Sequence, residues 1–415
     1  MALDDFPRYT DYNPKIPVWC ITPEERRCIH RFFDTSPFSP SGRSVAVFRM
    51  PFEDRCPEPG DMGEIVVVDL EDGEERVIDT TCGWEPQMGA NLNWGGDDST
   101  LFYNDVDLET WEPFAVKFDL VSGERERLEG CVYQASPDGK WLVSANMTTM
   151  RRTQTGYGVM IPDELVARNQ GLKEDDGLYL TDTESGEMHM VISIREAVEA
   201  CSDRIDMDEY ERGETYGFHS KFTPDGQRLM FSLRHTPPHE EFAMWPTHFE
   251  VLTLSPDGTD IHDAVPAQYW EKGGHHSNFF PDGQKISFNL NMDGDGMKFC
   301  EAACDGSFVR KLFDDPPGGG HPTVHPDGRH ILTDSYITEP VAYGDGTIPI
   351  RWIDRRKREE THLIRIRTET SHQGGESALR VDPHPAWDRD YRRIAFNGFA
   401  DGTRRVYVAD LSGIL

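Results

Sequence analysis

One short unit recurs along the chain and limits what it can fold into: a Pro-Asp-Gly turn followed by a brief apolar strand. It stands at Pro137-Asp138-Gly139 before Trp141-Leu142-Val143-Ser144, and again at Pro224, Pro281 and Pro326. Pro40-Ser41-Gly42 before Ser44-Val45-Ala46-Val47-Phe48 is a variant. Worn copies at Gly96-Asp97-Asp98 and Arg389-Asp390 bring the set to seven. Most neighbouring marks are separated by roughly the 40–50 residues of a four-stranded propeller blade.

A second mark follows each first one, a strand that ends in a polar residue before a Gly turn. Examples are Ile65-Val66-Val67-Val68-Asp69 before Asp72-Gly73, and Leu178-Tyr179-Leu180-Thr181-Asp182 before Ser185-Gly186. Alternating apolar residues between such turns signal antiparallel hairpins. Each repeat therefore reads as one blade of four strands. The expected fold is all-β, a seven-bladed β-propeller formed by residues 1–415 as one domain. After the last mark the chain holds too few strands, ending with Arg405-Val406-Tyr407-Val408-Ala409-Asp410, while Pro17-Val18-Trp19-Cys20-Ile21-Thr22 is spare at the start. The spare strand is predicted to complete the seventh blade from outside, which removes an exposed sheet edge. The longest interval between marks, from Pro137 to Pro224, holds a polar insertion at about 150–176, in blade 3. Long irregular segments often serve as lids or binding loops, so Arg151 and Arg152 are candidates to meet a substrate carboxylate.

The turn also carries histidines at one fixed place. His219, His276 and His321 each stand five residues before the proline of their turn, and His384 stands five before Arg389. The early repeats carry Thr35, Asn91 and Val132 there. Arranged around an axis, the four imidazoles converge on the channel. Imidazole suits transition metals, and an added carboxylate shifts preference towards harder ions. Asp382 lies two residues before His384, on the same face of an extended strand. His321, Asp382 and His384 are therefore expected to hold a divalent metal with positions left open for substrate. His219 and His276, on blades four and five, are expected farther round the channel.

Two weaker motifs read as ordinary turns. Asn291-Met292-Asp293-Gly294-Asp295-Gly296 begins like a calcium loop but has Ala302 where the bidentate glutamate belongs. Gly318-Gly319-Gly320 precedes no helix and so is no phosphate cradle.

The bulk chemistry excludes several partners. The net charge of −32 argues against nucleic acid and anionic membranes. No apolar run approaches the length of a membrane span. The start, Met1-Ala2-Leu3-Asp4-Asp5-Phe6-Pro7, has neither the basic nor the apolar region of a secretory signal, so a cytoplasmic location is expected. The 8 cysteines form no CxxC pair and read as reduced packing residues.

The order of these features resembles the oligogalacturonate lyases of polysaccharide lyase family 22, which are seven-bladed propellers. The islands that carry the resemblance are Cys28-Ile29-His30-Arg31-Phe32-Phe33, His235-Thr236-Pro237-Pro238-His239, His276 to Gly283, and Asp382-Pro383-His384-Pro385. The resemblance implies a manganese ion held by a histidine matching His321 and by a Gln-x-x-His-x-His run whose last histidine matches His384. It implies a proton-abstracting base at His276. The run's glutamine falls at Leu379 and its middle histidine at Asp382, with Gln373 and Glu376 nearby as substitutes. The family's charge-stabilising arginine falls between Phe242 and Phe249, where there is none, so Arg234 and Arg380 are the candidates to replace it. The expected activity is cleavage of short oligouronides by metal-assisted β-elimination, with Mn2+ as cofactor, His276 as base, and His219, Arg151, Arg152, Arg234 and Arg380 on the substrate. The alternative is a non-catalytic propeller that binds carbohydrate or protein.

Overall fold

The computed structural model describes residues 2–24, 26–237, 248–370, 372 and 378–415. Gln373, Glu376, His239 and most of the Phe242–Phe249 stretch lie outside the described residues. Seven four-stranded antiparallel sheets form the blades of a propeller. Their innermost strands are Cys28–Ile29, Asn93–Trp94, Gln134–Ala135, Glu214–Phe222, Gly274–Phe279, Thr323–Val324 and Ala386–Trp387, in blade order. The recurrent turn joins each innermost strand to the second. Its aspartate accepts from the backbone two residues on: Asp225 from Gln227 at 3.1 Å, Asp282 from Gln284 at 2.9 Å, Asp327 from Arg329 at 2.8 Å. The glycine that follows sits in the left-handed region, at φ 72° in Gly226 and 68° in Gly283, which a side chain would resist. In the worn seventh copy Tyr391 takes that conformation instead, at φ 56°.

The spare first strand, Val18–Cys20, pairs antiparallel with Arg405–Asp410, with Trp19 opposite Val408, and is the outermost strand of blade 7. Apolar side chains pack between successive blades. Val45, Val47, Val66 and Val68 of blade 1 meet Ala395, Val406 and Val408 of blade 7, and Ile348, Ile350 and Ile364 of blade 6 meet Ile394 and Phe396 on its other side. A different cluster plugs the channel: Phe32 and Phe33, from the loop after Cys28–Ile29, pack with Met150, Tyr157, Val159 and Ile161 of the blade 3 insertion. The insertion thus folds back over the channel mouth. None of the 8 cysteines is in a disulfide. No helix among the described residues is long and apolar enough to cross a membrane.

Candidate metal centre and substrate cleft

The innermost strands of blades 4 and 5 do not run straight. Pairing slips between Gly217 and Ser220, and again between His275 and Asn278, so His219 and His276 each sit in a bulge. His276 has φ 64° and His384, just before its strand, has φ 50°. A left-handed side-chain-bearing residue costs about 1–3 kcal/mol, and such strain persists where the surrounding structure overdetermines it. Bulges re-aim side chains. Here they turn the rings inward around the plug. Phe32 meets all four: ring centroids lie 5.4 Å from His219, 6.0 Å from His276, 5.6 Å from His321 and 4.5 Å from His384.

His321, Asp382 and His384 each offer a ligand atom, all within 4.8 Å of one another. All three residues are buried. The Nδ1 of His321 lies 2.8 Å from the carboxylate of Asp334, so that nitrogen carries the proton and donates. The Nε2 of His321 and the Nε2 of His384 are buried without a hydrogen-bond partner. Buried polar atoms rarely go unpaired in a folded protein, and two lone-pair nitrogens beside a carboxylate are a donor set that divalent transition ions accept. The residues present therefore fit a cation. Asp334, wholly buried, also accepts the backbone N–H of His321 at 2.8 Å and of His384 at 3.0 Å, tying blade 6 to blade 7. A carboxylate behind a ligating imidazole fixes its tautomer and orientation. Asp382 also accepts from the guanidinium of Arg380 at 2.7 Å.

His276 lies closer to this group than its blade position implies. Its ring centroid is 3.9 Å from that of His321, because the bulge and the left-handed backbone tip it round the plug. Its Nδ1 is 2.7 Å from the carbonyl oxygen of Gly320. A carbonyl only accepts, and His275 Nδ1, 2.7 Å from the same nitrogen, itself accepts from the Asn289 amide at 3.3 Å. His276 Nδ1 therefore holds the proton and Nε2 presents a lone pair, 3.3 Å from the hydroxyl of Tyr336. Burial pushes His219, His276 and His384 well below the usual imidazole range, so all three rings are neutral.

A cleft of about 540 Å³ opens over these residues. His219, His276, Tyr336, Arg234 and Arg380 line it, with Gln154 and Tyr157 from the insertion. Arg234 lies flat on Phe218 at 3.5 Å and donates to Gln154 at 2.9 Å. Burial pulls its pKa down to about 9, and no carboxylate pairs with it among the described residues. Arg380 is half-buried as well; desolvation there is outweighed by Asp382, which holds it more firmly charged, and it donates to Tyr157 at 3.0 Å.

Arg151 and Arg152, expected on substrate, are placed elsewhere. Arg151 pairs with Asp163 at 2.6 Å and donates to Ile161, while Arg152 donates to Val166. Both brace the insertion's own loop, and neither lines the cleft. The insertion's polar residues there are Gln154 and Tyr157. Sequence reasoning also passed over Asp334 and Tyr336. For Asp334 a signal existed: counted from the turn, it occupies the repeat position of Asn104, Asn289 and Asn397. Those asparagines bind the next blade's inner backbone, Asn104 at Val132 and Asn397 at His30. An aspartate in that row marks the blade with extra work to do. Leu379, where the resemblance places a glutamine ligand, is buried and apolar.

No protein-family model matches the chain, and no curated protein matches it. Solved structures do. A structure of oligogalacturonate lyase in complex with manganese superposes with a TM-score of 0.66 at 17% identity, covering 98% of this chain and 96% of that one. The oligogalacturonate lyase of Vibrio parahaemolyticus gives 0.65, also at 17% identity and with the same coverage of both chains. A puromycin-hydrolysing peptidase of Mycobacterium tuberculosis gives 0.52 at 12% identity, over 98% of this chain and 55% of its own. At these identities the likeness is one of fold.

Proposed function

We propose that the chain is a lyase that cleaves short oligouronides by β-elimination. One observation carries this reading: a neutral imidazole, His276, turns its lone pair into a cleft beside a cluster of buried metal-type ligands. The proton next to a uronate carboxylate is a weak acid until the carboxylate's charge is offset. His321, Asp382 and His384 would hold a divalent cation, taken as Mn2+, whose charge would stabilise the developing enediolate by several kcal/mol. The other roles belong to the chain's own side chains. Arg234, a half-buried guanidinium without a carboxylate partner among the described residues, gains a counter-ion when an acidic sugar enters. Arg380 is the second cation on the cleft wall, and its pairing with Asp382 keeps that carboxylate oriented. His276 Nε2 accepts the C5 proton, a step typically worth 10²–10⁴-fold in rate. His219 lines the cleft beside Phe218 and packs against substrate. Two positive side chains on one cleft suit an acidic oligosaccharide despite the net charge of −32, since screening confines the distant charges' effect.

The test is the ultraviolet absorbance of unsaturated uronate product from a panel of oligouronides, with manganese and with chelator. Product that disappears on chelation supports the reading, and no product from any uronide sinks it. The buried, apolar Leu379 favours a second reading, a sugar-binding propeller without catalysis. Elemental analysis of the purified protein separates the two: a stoichiometric metal lost in His321→Ala counts against the binding module.

A further inference from the structure

We propose that Tyr336 and His276 act as a proton-transfer pair on one face of the sugar, so that the chain's substrates are uronides whose C5–H and C4–O bonds lie on the same face. This rests on the β-elimination reading and deepens it. The Tyr336 hydroxyl stands 3.3 Å from His276 Nε2, and both residues line the same cleft. The tautomer imposed by Gly320 makes Nε2 the acceptor, so the hydroxyl points its proton at the base. No second hydrogen-bond partner holds that hydroxyl among the described residues. Its backbone is pinned, with the Tyr336 N–H donating to Glu339 at 3.0 Å, and its ring stands edge-on to His321 at 5.6 Å between centroids.

The step balances within these two side chains. His276 Nε2 takes the C5 proton, and the C5–H pair becomes the C4=C5 double bond. The C4–O4 bond breaks, its electron pair leaves on O4, and Tyr336 gives O4 its proton. The phenolate then takes the proton back from His276 Nε2 and the pair is reset, with nothing oxidised or reduced. A donor and an acceptor in contact serve only one face of the ring. Glucuronate and mannuronate carry C5–H and C4–O on one face. Galacturonate carries them on opposite faces and would need its proton donor across the cleft.

The experiment uses the full chain with manganese on oligomannuronate, oligoglucuronate and oligogalacturonate, plus a uronide bearing a 4-nitrophenyl group on O4 that departs without a proton. Wild type is expected to cleave at least one same-face substrate about tenfold or more faster than oligogalacturonate in kcat/KM. Tyr336→Phe should lose about 10²–10⁴-fold on that substrate. It should stay within roughly threefold of wild type on the nitrophenyl compound, where His276→Ala remains inactive. A preference for oligogalacturonate would overturn the pair while leaving the lyase reading intact. So would an equal loss of Tyr336→Phe on both leaving groups, which marks a merely structural tyrosine. No product from any of the four would overturn both.

Discussion

The carboxylate of Asp334 holds Nδ1 of His321 at 2.8 Å, which leaves Nε2 as the one nitrogen of that ring free to bind. The same carboxylate accepts two backbone N–H groups, those of His321 and His384. Asp334→Asn would replace an acceptor oxygen with an NH2 and set it against a donor. Manganese affinity measured by titration calorimetry is expected to fall about 10–100-fold. Stability should drop by about 1–3 kcal/mol for the stranded donor. Unchanged affinity would remove Asp334 from the site.

His276 and His384 make different contacts despite crowding one plug. His276 is satisfied at Nδ1 by Gly320 and at Nε2 by Tyr336, whereas His384 Nε2 has no partner. His384→Ala is expected to lose bound metal and activity together, read by elemental analysis and product absorbance. His276→Ala should keep the metal and lose about 10²–10⁴-fold in kcat. If both variants emptied the site alike, His276 would be a ligand and the base would lie elsewhere.

Arg234 is half-buried, and the cleft is where a counter-ion for it would enter. Removing such a charge takes away a cost of folding. Arg234→Met is therefore expected to hold or raise the urea midpoint, while KM for an acidic oligosaccharide rises about tenfold or more. An arginine kept for structure would show the opposite: lower stability and an unchanged KM.

Glu250, on the cleft's outer wall, is pushed up to about 8, mainly by burial and then by the neighbouring Asp263, itself raised to about 6. Tyr210 donates to Glu250 at 3.2 Å, Arg204 pairs with Asp263 at 3.2 Å, and Cys201 lies within 4.8 Å of both carboxylates. A carboxyl with a raised folded pKa binds more protons folded than unfolded between the two pKa values. Stability then falls as pH rises from about 4.5 to about 8, by up to about 1.4 kcal/mol per unit. In Glu250→Gln that slope should flatten in denaturant titrations across this window. An unaltered slope would place its origin in other groups.

The ring and its histidines were legible because the turn that sets them is local chemistry: Asp and Gly dictate the bend, and the bend dictates the strand's register. His219, His276, His321 and His384 follow from one phase. The approach of His276 to His321 was not legible, since a bulge and a left-handed histidine leave no mark in the sequence. Arg151 and Arg152 misled for a related reason. Their positions in a polar loop say nothing about which carbonyls the loop will need them for, and the carbonyls of Ile161 and Val166 claim them. Tyr336 lies in a loop after the second strand of blade 6, without a repeat partner to expose it.

The pairing of Val18–Cys20 with Arg405–Asp410 also sets a schedule for biogenesis. On the ribosome Val18–Cys20 emerges long before Arg405–Asp410 and must wait for it. At roughly 5–20 residues per second the wait is on the order of 20–80 s. Blades one to six can stack in that time, but the flank of blade 1 at Val45, Val66 and Val68 lacks its blade 7 partners Ala395, Val406 and Val408 until they emerge. That flank is a sticky, β-branched surface on an unfinished arc. A translational stall close to residue 405 would strand an aggregation-prone crescent.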